Sequence, residues 1–115
     1  MDTARKEQIV TEVVKQIYDA HPYLWEKFGE NGHKRTMEDN HHHLNHLETA
    51  YYMNDKQFFI DYTEWLEQVL TSRNVGKELI IDNFERLISQ MKEAEEEKKY
   101  SSYLNNALTL LKEME

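Results

Sequence analysis

The sequence predicts an all-α fold, on three observations. Its 115 residues include only three Gly and one Pro, so few positions break a helix. Apolar residues recur every three or four positions over most of the chain. No segment alternates polar and apolar residues as a strand does. The expected architecture is an antiparallel helical bundle of four main helices plus one short helix, spanning 1–115 as a single domain. A chain of this size buries roughly two thirds of its unfolded surface, enough for one core without staples.

The first helix is expected from about Thr3 to Ala20, where Ile9, Val10, Val13, Val14 and Ile17 form one stripe. Pro22 ends or kinks it and suits the first turn of a short second helix carrying Tyr23, Leu24, Trp25 and Phe28. Gly29 and Gly32 then bracket a polar loop, Glu30 to Arg35. Thr36 is the expected N-cap of the third helix, with Asp39 three residues on as a short variant of a capping box. That helix runs from Met37 to about Met53. Met37, Asn40, Leu44, Leu47 and Tyr51 lie within about 80° of one another and form its inward stripe.

Asn54 and Asp55 form the next turn and cap. The fourth helix, about Asp55 to Arg73, has the strongest apolar face: Phe58, Phe59, Tyr62, Trp65, Leu66, Val69 and Leu70. Asn74, Val75 and Gly76 break it. A fifth helix from near Lys77 turns Ile80, Phe84, Leu87, Ile88 and Met91 inward. The charged stretch Lys92 to Lys99 is a solvated helix end or connection, and Ser101 and Ser102 are the expected cap of a final helix with Leu104, Ala107, Leu108, Leu111 and Met114. Two helices are expected here rather than one, because a single rod from Lys77 to Glu115 would be about 57 Å long.

The formal net charge is −8. Nucleic-acid binding needs a basic face to neutralise phosphates, and His33-Lys34-Arg35 is too short to supply one. An acidic chain also repels anionic membranes. No apolar run approaches the roughly 18 residues of a membrane span, and the N-terminal residues lack the apolar stretch of a signal peptide. The expectation is a cytoplasmic protein with neither nucleic acid nor membrane as partner. With no cysteine, disulfides, thiolate metal sites and cysteine nucleophiles are excluded. No serine stands in a nucleophile elbow and there is no phosphate loop.

Chemistry is concentrated at His41, His42, His43 and His46. Histidine can titrate near pH 7, ligate a metal or shuttle a proton. On the third helix His43 falls beside the inward stripe. Asp39, His42 and His46 fall further round that flank, and His41 on the opposite edge. His42 and His46, at i and i+4, reach one point above the helix. With Asp39 they offer three ligands of a kind that Zn²⁺ or another divalent metal accepts, the next coming from His33 or water. The intervening His43-Leu44-Asn45 lacks the glutamate of the metalloprotease motif. In the plainer alternative, His43 is half-buried and bonded to Asp39 or a neighbouring helix, and the other three are solvated. A third arrangement turns His43, held by Asp39, toward Tyr62 and Trp65 in a small-molecule pocket, since bundles build ligand sites from facing helices.

The pattern Glu38-Asp39-Asn40, His43-Leu44, Leu47, then Phe59, Tyr62, Trp65, Leu70 and Arg73 resembles a small bacterial all-helical module found beside cobalamin-binding or signalling domains. The resemblance covers roughly Leu24 to Leu87. It implies a sensory or regulatory role and singles out Asp39, His43, Tyr62 and Trp65. This chain has no α/β domain with a Gly-rich loop, so it cannot hold cobalamin as those proteins do.

The expected function is a non-enzymatic helical bundle with a regulatory or sensory role, binding a partner protein, a second copy of itself or a small ligand. Its ligand-binding residues would be His43, Asp39, Tyr62 and Trp65, with no cofactor. The alternative is a metal-binding protein, including a metal-dependent hydrolase, using a divalent metal at His42, His46 and Asp39.

Overall fold

The computed structural model describes residues 1–114. They form five helices and, among the described residues, no strand: α1 (Thr3–Ala20), α2 (Tyr23–Met53), α3 (Lys56–Ser72), α4 (Lys77–Gln90) and α5 (Glu95–Glu113). The fold is all-α, as expected. The chain divides into two compact units, Met1–Asn45 and His46–Glu115, and α2 contributes to each. No helix of the described residues is long and apolar enough to cross a membrane.

In the first unit, α1 has the expected bounds. Asp2 caps it by accepting a hydrogen bond from the Arg5 amide at 2.7 Å, which satisfies one of the donors a helix start leaves open. The predicted stripe, extended by Tyr18, is buried. Lys6 Nζ donates to Asn45 Oδ1 at 3.4 Å and His41 Nε2 lies 2.9 Å from Glu7 Oε1. At the other end of α1, Tyr18 meets Trp25 and His33. The early residues of α1 thus meet the later residues of α2, and the two run antiparallel.

The polar loop expected at Glu30 to Arg35 is helical. Only Gly29 leaves the helix, at φ 66° and ψ −164°, a region open essentially to glycine alone. Gly32 stays helical and admits a close neighbour: a Cβ there would lie 2.2 Å from the Phe28 Cβ. Thr36 is therefore no cap. It lies inside the helix, and its hydroxyl donates to the Gly32 carbonyl at 2.8 Å. That commits its one proton, so the Tyr18 hydroxyl, 3.5 Å away, is the donor of the pair.

In the second unit, α2 ends in a left-handed residue, Asn54, at φ 50°. The Asp55 amide donates to the Ala50 carbonyl and the Asn54 amide to Tyr51, the two bonds of a Schellman motif. The end of α3 repeats the device, with Asn74 at φ 64°, Val75 bonded to Leu70 and Asn74 to Thr71. Asp55 caps α3 through the Gln57 amide at 2.9 Å. Helices α3, α4 and α5 all contact one another around Phe59, Leu66, Phe84, Leu87, Tyr100, Leu104 and Leu111, each nearly or fully buried.

The region from Lys77 onward is two helices, as expected, but their boundary differs. Helix α5 begins at Glu95, not at the serines, which lie within it. Glu95, Glu96 and Glu97 occupy its first turn, where negative charge is favoured by the helix dipole. Ile88 and Met91, expected inward, are only half-buried.

Candidate functional site

The histidine row is helical throughout. His43 is 2% exposed, deeper than the half-buried position expected, and Asn40, one turn before it, is fully buried. The Asn40 side chain donates to the Thr36 carbonyl at 3.0 Å, which relieves part of the cost of burying an amide. His42 is exposed and Asp39 half-buried. His41, expected in solvent, is half-buried and paired with Glu7. His46, also expected in solvent, is half-buried and stacked. Among the described residues, no three His, Cys, Asp or Glu side chains gather as a metal would require.

Of the four residues expected to line a ligand pocket, Asp39 and His43 belong to the first unit and Tyr62 and Trp65 to the second. Tyr62 is 7% exposed and its ring lies 3.8 Å from that of His46, centroid to centroid, at 16°. His46 is also near-parallel to Phe58, at 5.8 Å and 20°. Trp65 follows Tyr62 at 6.0 Å and 30°. The result is a ladder of rings along one edge of α3, backed by a histidine from α2 and ending in a tryptophan at the surface. Trp65 is 57% exposed, so it is not part of the inward face assigned to it. Trp65 shares its helical edge with Phe58 and Val69, both only half-buried, and not with Phe59, Leu66 and Leu70.

Two groupings escaped sequence reasoning. In the first unit Tyr18, Trp25 and His33 form a triangle with centroid separations of 4.7, 4.9 and 4.8 Å. Trp25 is 44% exposed and stacks on His33 at 14°. In the second unit Tyr100 is buried, its ring 5.8 Å from that of Tyr51, and its hydroxyl donates to Glu96. Burial first, then that hydrogen bond, raises the Tyr100 phenol well above its usual range. Burial raises Tyr103 as well.

A cleft of 610 Å³ opens on α5, lined by Glu93, Glu95, Lys98, Lys99 and Ser102. Its charges are of both signs, and Lys98 pairs with Glu93 at 3.2 Å. None of the candidate ligand or metal residues, Asp39, His42, His43, His46, Tyr62 and Trp65, lines it.

No protein family, no curated protein and no solved structure matches this chain.

Proposed function

We propose that this chain is a non-enzymatic, cytoplasmic helical module that binds a partner protein in a regulatory or signalling role, using the aromatic edge of α3. The observation that carries this reading is Trp65, 57% exposed on a mid-helix position, beside the ring of Tyr62, which itself stacks on His46. A tryptophan side chain presents about 250 Å² at most, so covering the exposed part contributes roughly 3 kcal/mol. Tryptophans that are already ordered are favoured anchors of protein interfaces, because little side-chain entropy is lost on binding. One anchor is too small for a stable complex, which needs about 800 Å² from each partner. The half-buried Phe58 and Val69 extend the same edge.

The test is site-specific photo-crosslinking in cells from Gln68, an exposed position one turn beyond Trp65. A discrete adduct with a second protein, lost in Trp65→Ala, is expected. A crosslinking pattern indifferent to Trp65→Ala, or adducts only between copies of this chain, overturns the reading.

A further inference from the structure

The residues of α3 describe what would lie on this edge. Two heptad seams run side by side along the helix. Phe59, Thr63, Leu66 and Leu70 recur at intervals of four, three and four residues, and all are buried. The buried Thr63 hydroxyl is satisfied by the Phe59 carbonyl at 2.8 Å. Phe58, Tyr62, Trp65 and Val69 recur at the same intervals one residue earlier. Only Tyr62 of this second seam is buried; Phe58 and Val69 are half-buried and Trp65 is exposed. Apolar residues at this spacing are what a packed helix reads as its facing holes.

The second seam has an acidic border. At 100° per residue, Asp61 and Glu64 lie on its solvent side, with Gln57 and Gln68 between them. All four are exposed. From Gln57 to Ser72, α3 carries Asp61, Glu64 and Glu67 and no Lys, Arg or His. Gln57 donates to Asp61 at 2.9 Å, which leaves the carboxylate's other oxygen for a further donor. A second copy of this chain brings the same carboxylates against themselves, and a net charge of −8 on each chain adds to the repulsion.

We propose that the occupant of this edge is a basic amphipathic helix of another protein. Its apolar stripe lies along Phe58, Tyr62, Trp65 and Val69, and its lysines or arginines face Asp61 and Glu64. A cation placed over the exposed Trp65 ring gains a further attraction from the ring's negative face. This rests on the reading of α3 as the binding surface and adds to it the chemistry of the partner.

The probe is a synthetic amphipathic helix with leucine on one face and arginine on the other. Its control has the same leucines and glutamate in place of arginine. Binding is read on the full chain by Trp fluorescence in Trp25→Phe, which leaves Trp65 as the only tryptophan, and by amide chemical-shift mapping on the unaltered chain, which needs no substitution. The basic helix is expected to bind at least about tenfold more tightly than the acidic one, with shifts centred on α3. Trp65→Ala is expected to weaken it about thirtyfold. The pair Asp61→Asn and Glu64→Gln is expected to weaken it about fivefold, an effect that shrinks as salt rises. The pair Glu93→Gln and Glu95→Gln, which changes net charge equally at an exposed place elsewhere, is expected to leave binding unchanged.

Equal weakening by both charge pairs overturns the proposal, since it reports overall attraction alone. So does a basic helix that binds no better than the acidic one, or whose shifts fall away from α3. If those results coincide with a Trp65-dependent crosslink to another protein, α3 remains the binding surface and the basic partner is wrong. If the crosslink is also absent, both fall.

Discussion

The imidazole of His46 lies 3.8 Å from the ring of Tyr62 and within 16° of parallel to it. This contact joins the last turns of α2 to the middle of α3, inside the second unit. It accounts for two features together. Tyr62 is buried although it belongs to the outer seam of α3, and the ring beside Trp65 is held in place.

Removing the contact is expected to cost stability. Aromatic pairs contribute about 0.5–1.5 kcal/mol beyond the area they bury. His46→Ala should lower stability by about 1–2 kcal/mol, and His46→Phe by less, because a ring still covers Tyr62. A double-mutant cycle with Tyr62→Leu, followed by denaturant unfolding, should give a coupling of about 1 kcal/mol. Strict additivity would show that the stack carries no energy of its own.

Tyr100 predicts a sensitivity to alkali. Its folded-state pKa is raised above the ordinary 10.0 by burial and by the hydrogen bond to Glu96. A group with a raised folded pKa contributes stability that is fully present below its unfolded pKa. That stability is lost as pH rises toward the folded value, because only the unfolded phenol ionises there. The contribution of Tyr100 to the unfolding midpoint should therefore hold steady below pH 10.0 and decline above it. Tyr100→Phe should lose about 1–2 kcal/mol at neutral pH, where the hydrogen bond is missing, and show a shallower alkaline decline. Chemical denaturation across that pH range decides it.

Gly29 holds a backbone conformation that side chains avoid, with open space around its Cα. Gly29→Ala is expected to destabilise by about 1–3 kcal/mol through strain alone. At Gly32 the cause differs, since an added Cβ meets the Phe28 Cβ. Gly32→Ala should also be destabilising, and Phe28→Gly, which removes that Cβ, should relieve part of it, whereas Phe28→Gly should not rescue Gly29→Ala. Thermal melts of the three single variants and the two double variants test the distinction.

Asn54 closes α2 in the left-handed region. Asn54→Gly is expected to keep or slightly raise stability, because glycine enters that region freely. Asn54→Val should lower it by about 1–2 kcal/mol. Equal melting temperatures for the glycine and valine variants would mean that the chain relaxes out of the turn.

The sequence was most readable where one apolar stripe faces one core. Helix α1 shows this, with Ile9 to Ile17 at helical spacing and Pro22 at its end. It was less readable where one residue type serves two ends. Gly29 and Gly32 look alike in the sequence, yet one breaks the helix and the other makes room for Phe28. Thr36 suits a cap, but its hydroxyl turns back to the Gly32 carbonyl inside the helix. The two seams of α3 also read as one broad apolar face, because their members are adjacent. Only burial separates Phe59, Leu66 and Leu70 from Phe58, Trp65 and Val69. Among the histidines, position on the helical wheel marked His43 as inward, but nothing local marks His46 for Tyr62 or His41 for Glu7. Those partners come from other helices.

Neither α4 nor α5 opens with a side-chain cap, since Gly76 and Ala94 stand at the two starts. Between α4 and α5 the residues from Met91 to Ala94 are mostly solvent-facing and tied in part by the Lys92 amide bonded to Glu97. Backbone with few such ties is where a folded chain accepts foreign sequence most readily. An epitope or fluorescent reporter spliced in at this junction would follow the protein in cells while leaving the ring ladder of α3 undisturbed.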